Sequence, residues 1–477
     1  MTSSAVGLRP VQTATYPESI WSKIPEDDFR HNLVRLEKRT NAVPIDVLTA
    51  VLGSGETSGG EHLPISVEKQ VADDFAYIAA VSEGAQSVAA VCIEQHIDSD
   101  KDDATLLLKV AGMDVVEESV KFMLLEIAEA LQKVAQLRQP LTTEKHKACT
   151  EILFQSIIEQ HKQKLLGRLR SKKWTKPTYL GRTHKKCLWQ DFDNLVHRVQ
   201  HIYSKRSERK IREATAGYLK ALEEAYTIFE LSTIDTGLAL QSLVKDTYAF
   251  CKQIEIKEYA AKLENASVTP QIGAALKTLR QLEKIGAYWR IAVDLVAAAV
   301  KYPSSFANIR VDYVQPYSSV PTEITHESWA GKCHVHAEVQ LVVEYALQAH
   351  NDAANSSGSR LIKPRTVGTS KYLCYLCYLF LRYHGGFQGL STHGRLYDQW
   401  TVPDLVEYTT ETREKLANVL GQMNVHMEKQ ISRIQGTVWR AEPMTSRQNL
   451  LCHADEGGSK AMDAIEQELR RSGITSS

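Results

Sequence analysis

The chain has 477 residues, of which 43% are hydrophobic and 24% are charged. These proportions exclude an intrinsically disordered chain, and the length predicts two or three folded units. The 57 Lys and Arg residues cancel the 57 Asp and Glu residues, so the net charge neither indicates nor excludes an acidic partner.

The cysteines and the first twenty residues predict the compartment. Eight cysteines are scattered over a long chain, which is not the pattern of a disulfide framework. The first twenty residues lack the apolar core of a secretory signal peptide, and no apolar run approaches the roughly 18 residues that span a bilayer. We therefore expect a reduced intracellular protein, either cytoplasmic or nuclear. The cysteines are Cys92, Cys149, Cys187, Cys251, Cys333, Cys374, Cys377 and Cys452.

The first 300 residues divide into an irregular segment and a helical region. Residues 1–62 are predicted to be irregular and flexible, ending in GSGETSGGEH. From Ala104 onward apolar residues recur three and four positions apart, which predicts amphipathic helices. Similar stretches follow, so 63–301 is predicted to be mainly α-helical. They lie at 144–166, 190–230, 237–257 and 274–301.

Strands and helices alternate in the next region, 302–435. NIRVDYVQPY predicts a strand ended by Pro316, and a helix is predicted to begin near His334. LIKPRTVGT predicts a second strand, interrupted by Pro364.

A short apolar helix, KYLCYLCYLFLRY, follows this second strand. It is predicted to be capped by Ser370 and ended by Gly385-Gly386. LSTHGRLYDQWTVP has strand character, and a long amphipathic helix is predicted from Asp404 to Arg433. Residues 436–477 are predicted to be a C-terminal tail. The fold class is α+β and multidomain, with a helical N-terminal and middle region before this α/β region.

Two short motifs in the α/β region have metal-ligand chemistry. His336-Ala337-Glu338 and Cys374-x-x-Cys377 each lie at the start of a predicted helix that follows a predicted strand. Cys374 and Cys377 are one helical turn apart, and a helix N-terminus favours thiolates. With His336 they supply three zinc ligands, which leaves the fourth position of a catalytic zinc for water. Glu338 is close enough to move a proton to or from that water.

Other interpretations of these motifs remain open. A His-x-Glu triplet occurs by chance, as His426-Met427-Glu428 shows, and two cysteines in an apolar helix are often core thiols. His384 or His393 could complete a four-ligand structural zinc site. His334 is an alternative ligand, and a thioredoxin-type redox pair is the weakest alternative.

The two motifs together resemble the zinc-dependent cytidine-deaminase-like superfamily, whose signature is H-x-E followed by P-C-x-x-C. The blocks HVHAEVQLV, VGTSKYLCYLCYLFL and THGRLYDQWTVP are similar to a fungal-type family of nucleic acid or nucleotide deaminase-like proteins. This resemblance covers about residues 305–410. One departure is Leu373, which stands where the superfamily has proline before the first cysteine.

The resemblance implies a three-layer α/β/α domain over 302–435 and a site for Zn²⁺. His336, Cys374 and Cys377 would be the metal ligands, and Glu338 would be the catalytic proton carrier. The implied reaction is hydrolytic deamination at C4 of cytosine or C6 of adenine.

The block after the second motif contains residues suited to substrate contact. His393, Arg395 and Trp400 could contact a base or a phosphate, since rings stack on bases and cations meet phosphates. The alternative is that Trp400 is a core residue and that His393 and Gly394 only shape a turn.

A basic segment, Lys162–Arg212, contains 16 Lys or Arg residues and three acids. Trp174 and Tyr179 are interleaved with these cations, a composition that suits single-stranded nucleic acid, although a solvated helix face has the same composition. The predicted function is a zinc-dependent deaminase of a nucleotide or nucleic acid. The alternative is a non-catalytic deaminase-like fold that serves as a helical interaction or regulatory protein with a structural zinc.

Overall fold

We describe a computed structural model of the chain. The residues whose placement is described are 8–9, 18–43, 62–82, 87–98, 104–137, 143–178, 186–267, 269–327, 329–352, 359–439 and 450–451. Within these ranges, no helix combines the length and apolar character needed to cross a membrane.

Thirteen α-helices, two short 3₁₀ helices (Leu188–Asp191 and Arg206–Glu208) and eight strands are assigned in the described parts of the chain. The helices are α1 Glu26–Glu37, α2 Ile65–Ala79, α3 Glu118–Gln136, α4 Thr143–Leu169, α5 Phe192–Ile202, α6 Arg209–Leu231, α7 Thr236–Lys252, α8 Ile254–Glu264, α9 Pro270–Lys301, α10 Pro303–Phe306, α11 Ala337–Asp352, α12 Tyr375–His384 and α13 Thr410–Arg433. The strands are β1 Ala89–Asp98, β2 Ala104–Gly112, β3 Asn308–Tyr313, β4 Val320–Pro321, β5 Lys332–Val335, β6 Ser359–Ile362, β7 Gly368–Thr369 and β8 Trp400–Thr401.

The chain divides into two compact units. The mixed unit comprises residues 1–80, 84–135 and 302–443, and the helical unit comprises 81–83, 136–301 and 444–477. The helical unit is thus inserted in sequence between α3 and α10. The range 63–301, predicted to be one helical region, contributes to both units.

The mixed unit contains a five-stranded sheet in the order β3-β2-β1-β6, with β7 also paired to β1. Strand β1 is antiparallel to β2 in a register that places Val91 opposite Val110, and β3 is parallel to β2. A smaller sheet has the order β4-β5-β8. Its parallel pair β5 and β8 places His334 opposite Trp400, so β8 lies beside the strand that leads into α11.

The core of the mixed unit joins α11 and α12 to one side of β1. Ala90, Cys92 and Ala111 belong to the same buried cluster as the apolar residues of both helices. Lys109 of β2 donates a hydrogen bond to Gln348 of α11. Burial of these side chains supplies most of the driving force for this packing.

Two segments differ from the predicted structure. Ala104–Gly112 was expected to begin a helix but forms β2, in which alternate residues such as Leu106 and Leu108 are buried. The prediction failed because its apolar run fits the period of a helix as well as that of a strand. Residues 26–37, predicted to be irregular, form α1, which buries Phe29 and Leu33. Its buried face also contains polar residues, which hides the helical period.

Two helix starts also differ from the predicted ones. Helix α12 is capped by Cys374, whose sulfur accepts from the Cys377 N–H, and not by Ser370. Helix α13 begins at Thr410 with Thr409 as its cap, six positions after the expected Asp404. In both cases the side-chain acceptor that meets the free N–H groups determines the first helical residue.

Several predictions in the α/β region are confirmed. NIRVDY is strand β3, and Pro364 lies between β6 and β7. Helix α12 ends at His384, and Gly385 has a φ of 74°, a left-handed conformation that glycine adopts without a steric cost. The order of the helices is therefore as predicted, but β4 and β5 were not predicted, and His334, where a helix was expected to begin, lies in strand β5.

The helical unit is held by buried apolar faces and a few buried polar pairs. Tyr226 on α6 and Thr247 on α7 lie 3.2 Å apart at their hydroxyl oxygens. From the predicted tail, 436–477, only 436–439 and 450–451 are described; Leu450 and Leu451 are buried, and the Leu451 N–H donates to Glu283 of α9. This part of the tail is therefore anchored within the helical unit.

Glu37 at the end of α1 provides a test of this packing. Burial, together with the negative charges of Asp398 and Glu327, raises its pKa from 4.5 to about 7. A raised carboxyl pKa favours the protonated native state, so this stabilisation is complete below pH 4.5 and is lost as pH rises through 7. Ionisation of Glu37 should lower the unfolding free energy by up to about 3 kcal/mol between pH 5 and 8, and Glu37→Gln should abolish this decrease. Urea unfolding at several pH values measures this slope; exposed Glu117→Gln is the control and should leave it unchanged.

Candidate metal centre

Four side chains converge at the N-termini of two helices. His336 directly precedes α11, Glu338 is in the first turn of α11, Cys374 caps α12 and Cys377 is in the first turn of α12. Both helices therefore point the positive ends of their dipoles at one place. Gln340 fixes the start of α11, because its side-chain amide donates to the carbonyls of Val335 and Gly112.

The distances identify a cluster that could hold a metal ion. The ligand atoms of His336, Cys374 and Cys377 lie within 4.8 Å of one another. His336 Nδ1 is 3.7 Å from Cys374 Sγ and 3.4 Å from Cys377 Sγ. One imidazole nitrogen and two sulfurs form a donor set for a soft or borderline metal ion. The three predicted ligands are thus brought together.

The fourth predicted residue, Glu338, lies against this cluster. Its side chain is buried, and its Oε2 accepts from Cys377 Sγ at 3.5 Å. Burial raises the pKa of Glu338, although the nearby His336 acts to lower it. A carboxyl group with a raised pKa holds its proton more strongly than an exposed carboxyl group does.

The two thiols have opposite tendencies. Burial acts to raise the pKa of Cys374, but hydrogen bonding from Cys377 and the adjacent His336 outweigh it, so this pKa lies well below its ordinary value. Burial and the neighbouring Cys374 raise the pKa of Cys377, while Trp400 acts in the opposite direction. Cys374 is therefore the thiol best stabilised as a thiolate.

The alternative ligands do not join the cluster. Among the described residues, the group that could hold a metal contains neither His334, His384 nor His393. His384 is at the far end of α12, where burial lowers its pKa to about 4. The closed four-ligand site considered from the sequence therefore has no fourth histidine in place, and three protein ligands leave a position open.

The second His-x-Glu triplet has a packing role. His426 Nδ1 lies 3.2 Å from the hydroxyl of Tyr375, and Glu428 accepts from Asn32 and Asn424. Met427 is fully buried. This triplet on α13 supplies contacts between helices and no metal ligands. The seven described cysteines form no disulfide, and Cys452 lies outside the described residues.

The three predicted substrate residues have different environments. Trp400 is 1% exposed and packs against Phe29 and Phe380, so the expectation that it contacts a base is wrong because the ring lies in the core. His393 and Arg395 are partly exposed and lie beside Cys374 in the chain segment 391–397. Whether they contact substrate stays a prediction.

Tyr397 was not singled out from the sequence. Its ring lies 6.5 Å from that of His336 and 6.2 Å from that of His393, and it is 39% exposed. Its position near Trp400 in sequence was a signal, but only the fold shows that the Tyr397 ring is exposed beside His336 whereas the Trp400 ring is buried.

Leu373, the departure from the superfamily pattern, has a structural reason. Its N–H donates to the carbonyl of Ser391 at 3.1 Å, and its own carbonyl accepts from the N–H of His393. A proline at this position would have no N–H to donate. Leu373 therefore anchors segment 391–397 next to Cys374.

Gly394 fixes the shape of this segment. It has a φ of 70°, and a Cβ atom there would lie 2.1 Å from the carbonyl oxygen of Val43. We expect Gly394→Ala to lower the unfolding free energy by about 2 kcal/mol or more, because strain and a backbone clash add. Gly436→Ala is the matched control, since its φ is 75° and its Cβ position is open. Thermal unfolding of both variants separates the clash from the strain, and equal losses would contradict the close approach.

The basic segment Lys162–Arg212 is distributed over α4, α5, α6 and their connections. Several of its cations are hydrogen-bonded within the helical unit, which restricts the side chains that could contact an external ligand. Their partners include Asp191 for Arg170 and the carbonyls of Lys284 for Arg168, Ser232 for Lys173 and Tyr203 for Arg212. Tyr179, Arg182 and Lys185 lie outside the described residues. Nucleic acid binding by this segment stays a prediction.

The region around the cluster matches a known family. Residues 335–404 match the family model described as OTT_1508_deam-like deaminase. This region is deaminase-like. The match includes all three members of the metal cluster and Glu338, and it is consistent with the predicted cytidine-deaminase-like superfamily. Searches of curated proteins and of solved structures find no match to the chain.

Proposed function

We propose that the protein is a zinc-dependent hydrolytic deaminase that acts on a cytosine or adenine base in a nucleotide or nucleic acid. The observation that carries this proposal is the convergence of His336, Cys374 and Cys377 beside the buried Glu338, inside the deaminase-like region. A structural site has no use for such a carboxylate.

The spacing of the donor atoms supports zinc. In a tetrahedral zinc site with bonds of ordinary length, a nitrogen ligand atom and a sulfur ligand atom lie about 3.6 Å apart. The corresponding distances from His336 Nδ1 to the two sulfurs are 3.7 and 3.4 Å. The distances from His336 to both sulfurs therefore fit a zinc ion held by His336, Cys374 and Cys377. When bound, zinc supplies a water whose pKa is near neutral.

Glu338 would carry protons between this water and the base. Its buried carboxylate lies on the cluster, so it can accept a proton there and deliver it to the ring nitrogen and then to the departing ammonia. The raised pKa of this carboxyl group favours such a two-way transfer. The low exposure of Glu338 also keeps bulk water away from the proton.

The three-layer α/β/α arrangement implied by the resemblance is part of the same proposal. Helices α11 and α12 share a core with Ala90 and Cys92 on one side of β1. On β3, the N–H of Ile309 donates to Gln132 of α3, and α2 contacts β1 and β7. We infer that α2 and α3 form the layer opposite α11 and α12.

The direct test is turnover by the protein loaded with one zinc ion. Cytidine, adenosine, their monophosphates and a single-stranded oligonucleotide are offered in parallel, with ammonia release and product mass as readouts. We expect conversion of cytosine to uracil or of adenine to hypoxanthine, which stops when a chelator removes the zinc. A zinc-loaded protein that converts none of these substrates would contradict the proposal.

A further inference from the structure

The segment 391–397 forms a wall beside the metal cluster. The N–H of His393 donates to the carbonyl of Leu373, and the N–H of Tyr375 donates to the carbonyl of Arg395. These two bonds flank Cys374 on both sides along the chain. The side chains of this segment are therefore held at a set distance from the cluster.

Two rings of this wall extend from the cluster. The ring of Tyr397 lies 6.5 Å from His336 and is tilted by 53°, and His393 stands edge-on to Tyr397 at 6.2 Å. Tyr397 retains 39% of its exposure, whereas Trp400, three positions later, is buried. The exposed ring beside the cluster is the one that can stack on a planar base, and such stacking is worth about 1–3 kcal/mol per base.

The wall is braced from behind by the N-terminal segment. The N–H of Leu396 donates to the carbonyl of Asn41, and that of Val43 donates to the carbonyl of Gly394. His393 Nδ1 accepts from the N–H of Arg395, which fixes the orientation of the imidazole ring. A preformed wall loses little conformational entropy when a ligand binds.

Two cations lie at the same edge. Arg395 belongs to the wall and is partly exposed, and Lys371 is exposed three positions before Cys374. Leu373, two positions after Lys371, is hydrogen-bonded to Ser391 and His393 of the wall. Lys332 is also exposed, but it lies at the start of β5, the strand that leads to His336. Lys371 and Arg395 therefore lie on chain segments that are hydrogen-bonded to each other next to Cys374.

We infer that Tyr397 stacks on the base of the substrate and that Lys371 and Arg395 bind the phosphate attached to the same nucleoside. The inference deepens the proposed function and rests on it: the substrate is a phosphorylated nucleotide unit, not a free base or a nucleoside. Arginine and lysine at the rim supply charge-assisted hydrogen bonds to phosphate oxygens.

Binding measurements on the Glu338→Gln protein loaded with zinc test this without consuming the ligand. Cytidine and adenosine are compared with their 5′-monophosphates by calorimetry. We expect the monophosphate of the preferred base to bind at least about tenfold more tightly than the nucleoside. Lys371→Gln should remove this preference, whereas Lys332→Gln, a change at the matched exposed lysine at the start of β5, should keep it.

Substitutions of Tyr397 test the stacking. Tyr397→Ala should weaken nucleoside and monophosphate alike by about tenfold or more, and Tyr397→Phe should bind as the parent does. Zinc content is measured in each variant to confirm that the cluster is intact. A single-stranded oligonucleotide that competes with the monophosphate in a Lys371-dependent manner identifies a polymer as a source of the same phosphate.

Three results would overturn the inference: equal affinity for nucleoside and monophosphate, equal effects of the two lysine changes, or unchanged binding in Tyr397→Ala. Failure of the proposed function is a different result. It would appear as Lys371-dependent and Tyr397-dependent nucleotide binding by the native zinc protein without conversion of the base.

Discussion

Glu338→Gln should abolish deamination while the protein keeps its zinc. Glutamine has almost the same shape as glutamate but neither accepts nor releases the proton that the reaction requires. Removing a general acid–base group costs roughly 100- to 10,000-fold in rate. The metal is unaffected because Glu338 contacts the cluster from its side, and the three ligand atoms belong to other residues. The measurements are the rate of ammonia release and the zinc content per chain.

The second His-x-Glu triplet supplies the matched control. Glu428→Gln changes a glutamate two residues after a histidine, on a helix of the same unit, where its carboxylate accepts from Asn32 and Asn424. We expect this variant to retain its rate. Equal losses in both variants would assign the effect to folding, and full activity in Glu338→Gln would remove Glu338 from the mechanism.

The metal cluster could be predicted from the sequence because its residues form two pairs that are each close together in the chain. His336 with Glu338 and Cys374 with Cys377 are each separated by less than one helical turn, so each pair is placed by the start of a single helix. The contact between the pairs is non-local, yet the alternation of strands and helices was sufficient to suggest it. The cluster of three ligands is confirmed as a group that could hold a metal.

The sheet was not predictable in the same way. Thr105 of β2 and Asn308 of β3 are hydrogen-bonded although 203 positions separate them, with the helical unit inserted between. The apolar run of β2 is compatible with a helix, and only pairing with β1 and β3 favours the strand. Local periodicity contains no information about such pairings.

Polar residues in buried positions hid α1 and its contacts with β5 and α13. Arg30 is buried and donates to Cys333 Sγ, and Asn32 donates to Asn424 of α13. Their hydrogen bonds satisfy groups that would otherwise be costly to bury. The assignment of Trp400 to the substrate failed for a related reason: only tertiary packing determines whether an aromatic ring belongs to the core or to the site.

Cys374→Ser should remove the metal and destabilise the mixed unit. A serine hydroxyl is a poor zinc ligand, and Cys374 is the thiol whose pKa is lowered by its neighbours. We expect zinc content to fall from about one ion per chain to a small fraction after dialysis against a chelator. An ion present at a hundredfold excess over its Kd stabilises the native state by about 2.7 kcal/mol, so zinc should raise the Tm of the parent but not of the variant.

Cys333→Ser separates metal loss from the loss of a buried thiol. Cys333 is fully buried in the same unit, on the strand that leads to His336, and its sulfur accepts from Arg30. It lies outside the group of three ligands, so this variant should keep its zinc and its response of Tm to zinc. Substitution with Co²⁺ adds a spectroscopic readout, because sulfur-to-cobalt charge-transfer absorption reports thiolate ligands and should weaken in Cys374→Ser alone. Zinc retained at the parental level in Cys374→Ser, or lost equally from both variants, would show that the ion is not held by the thiolate at the start of α12.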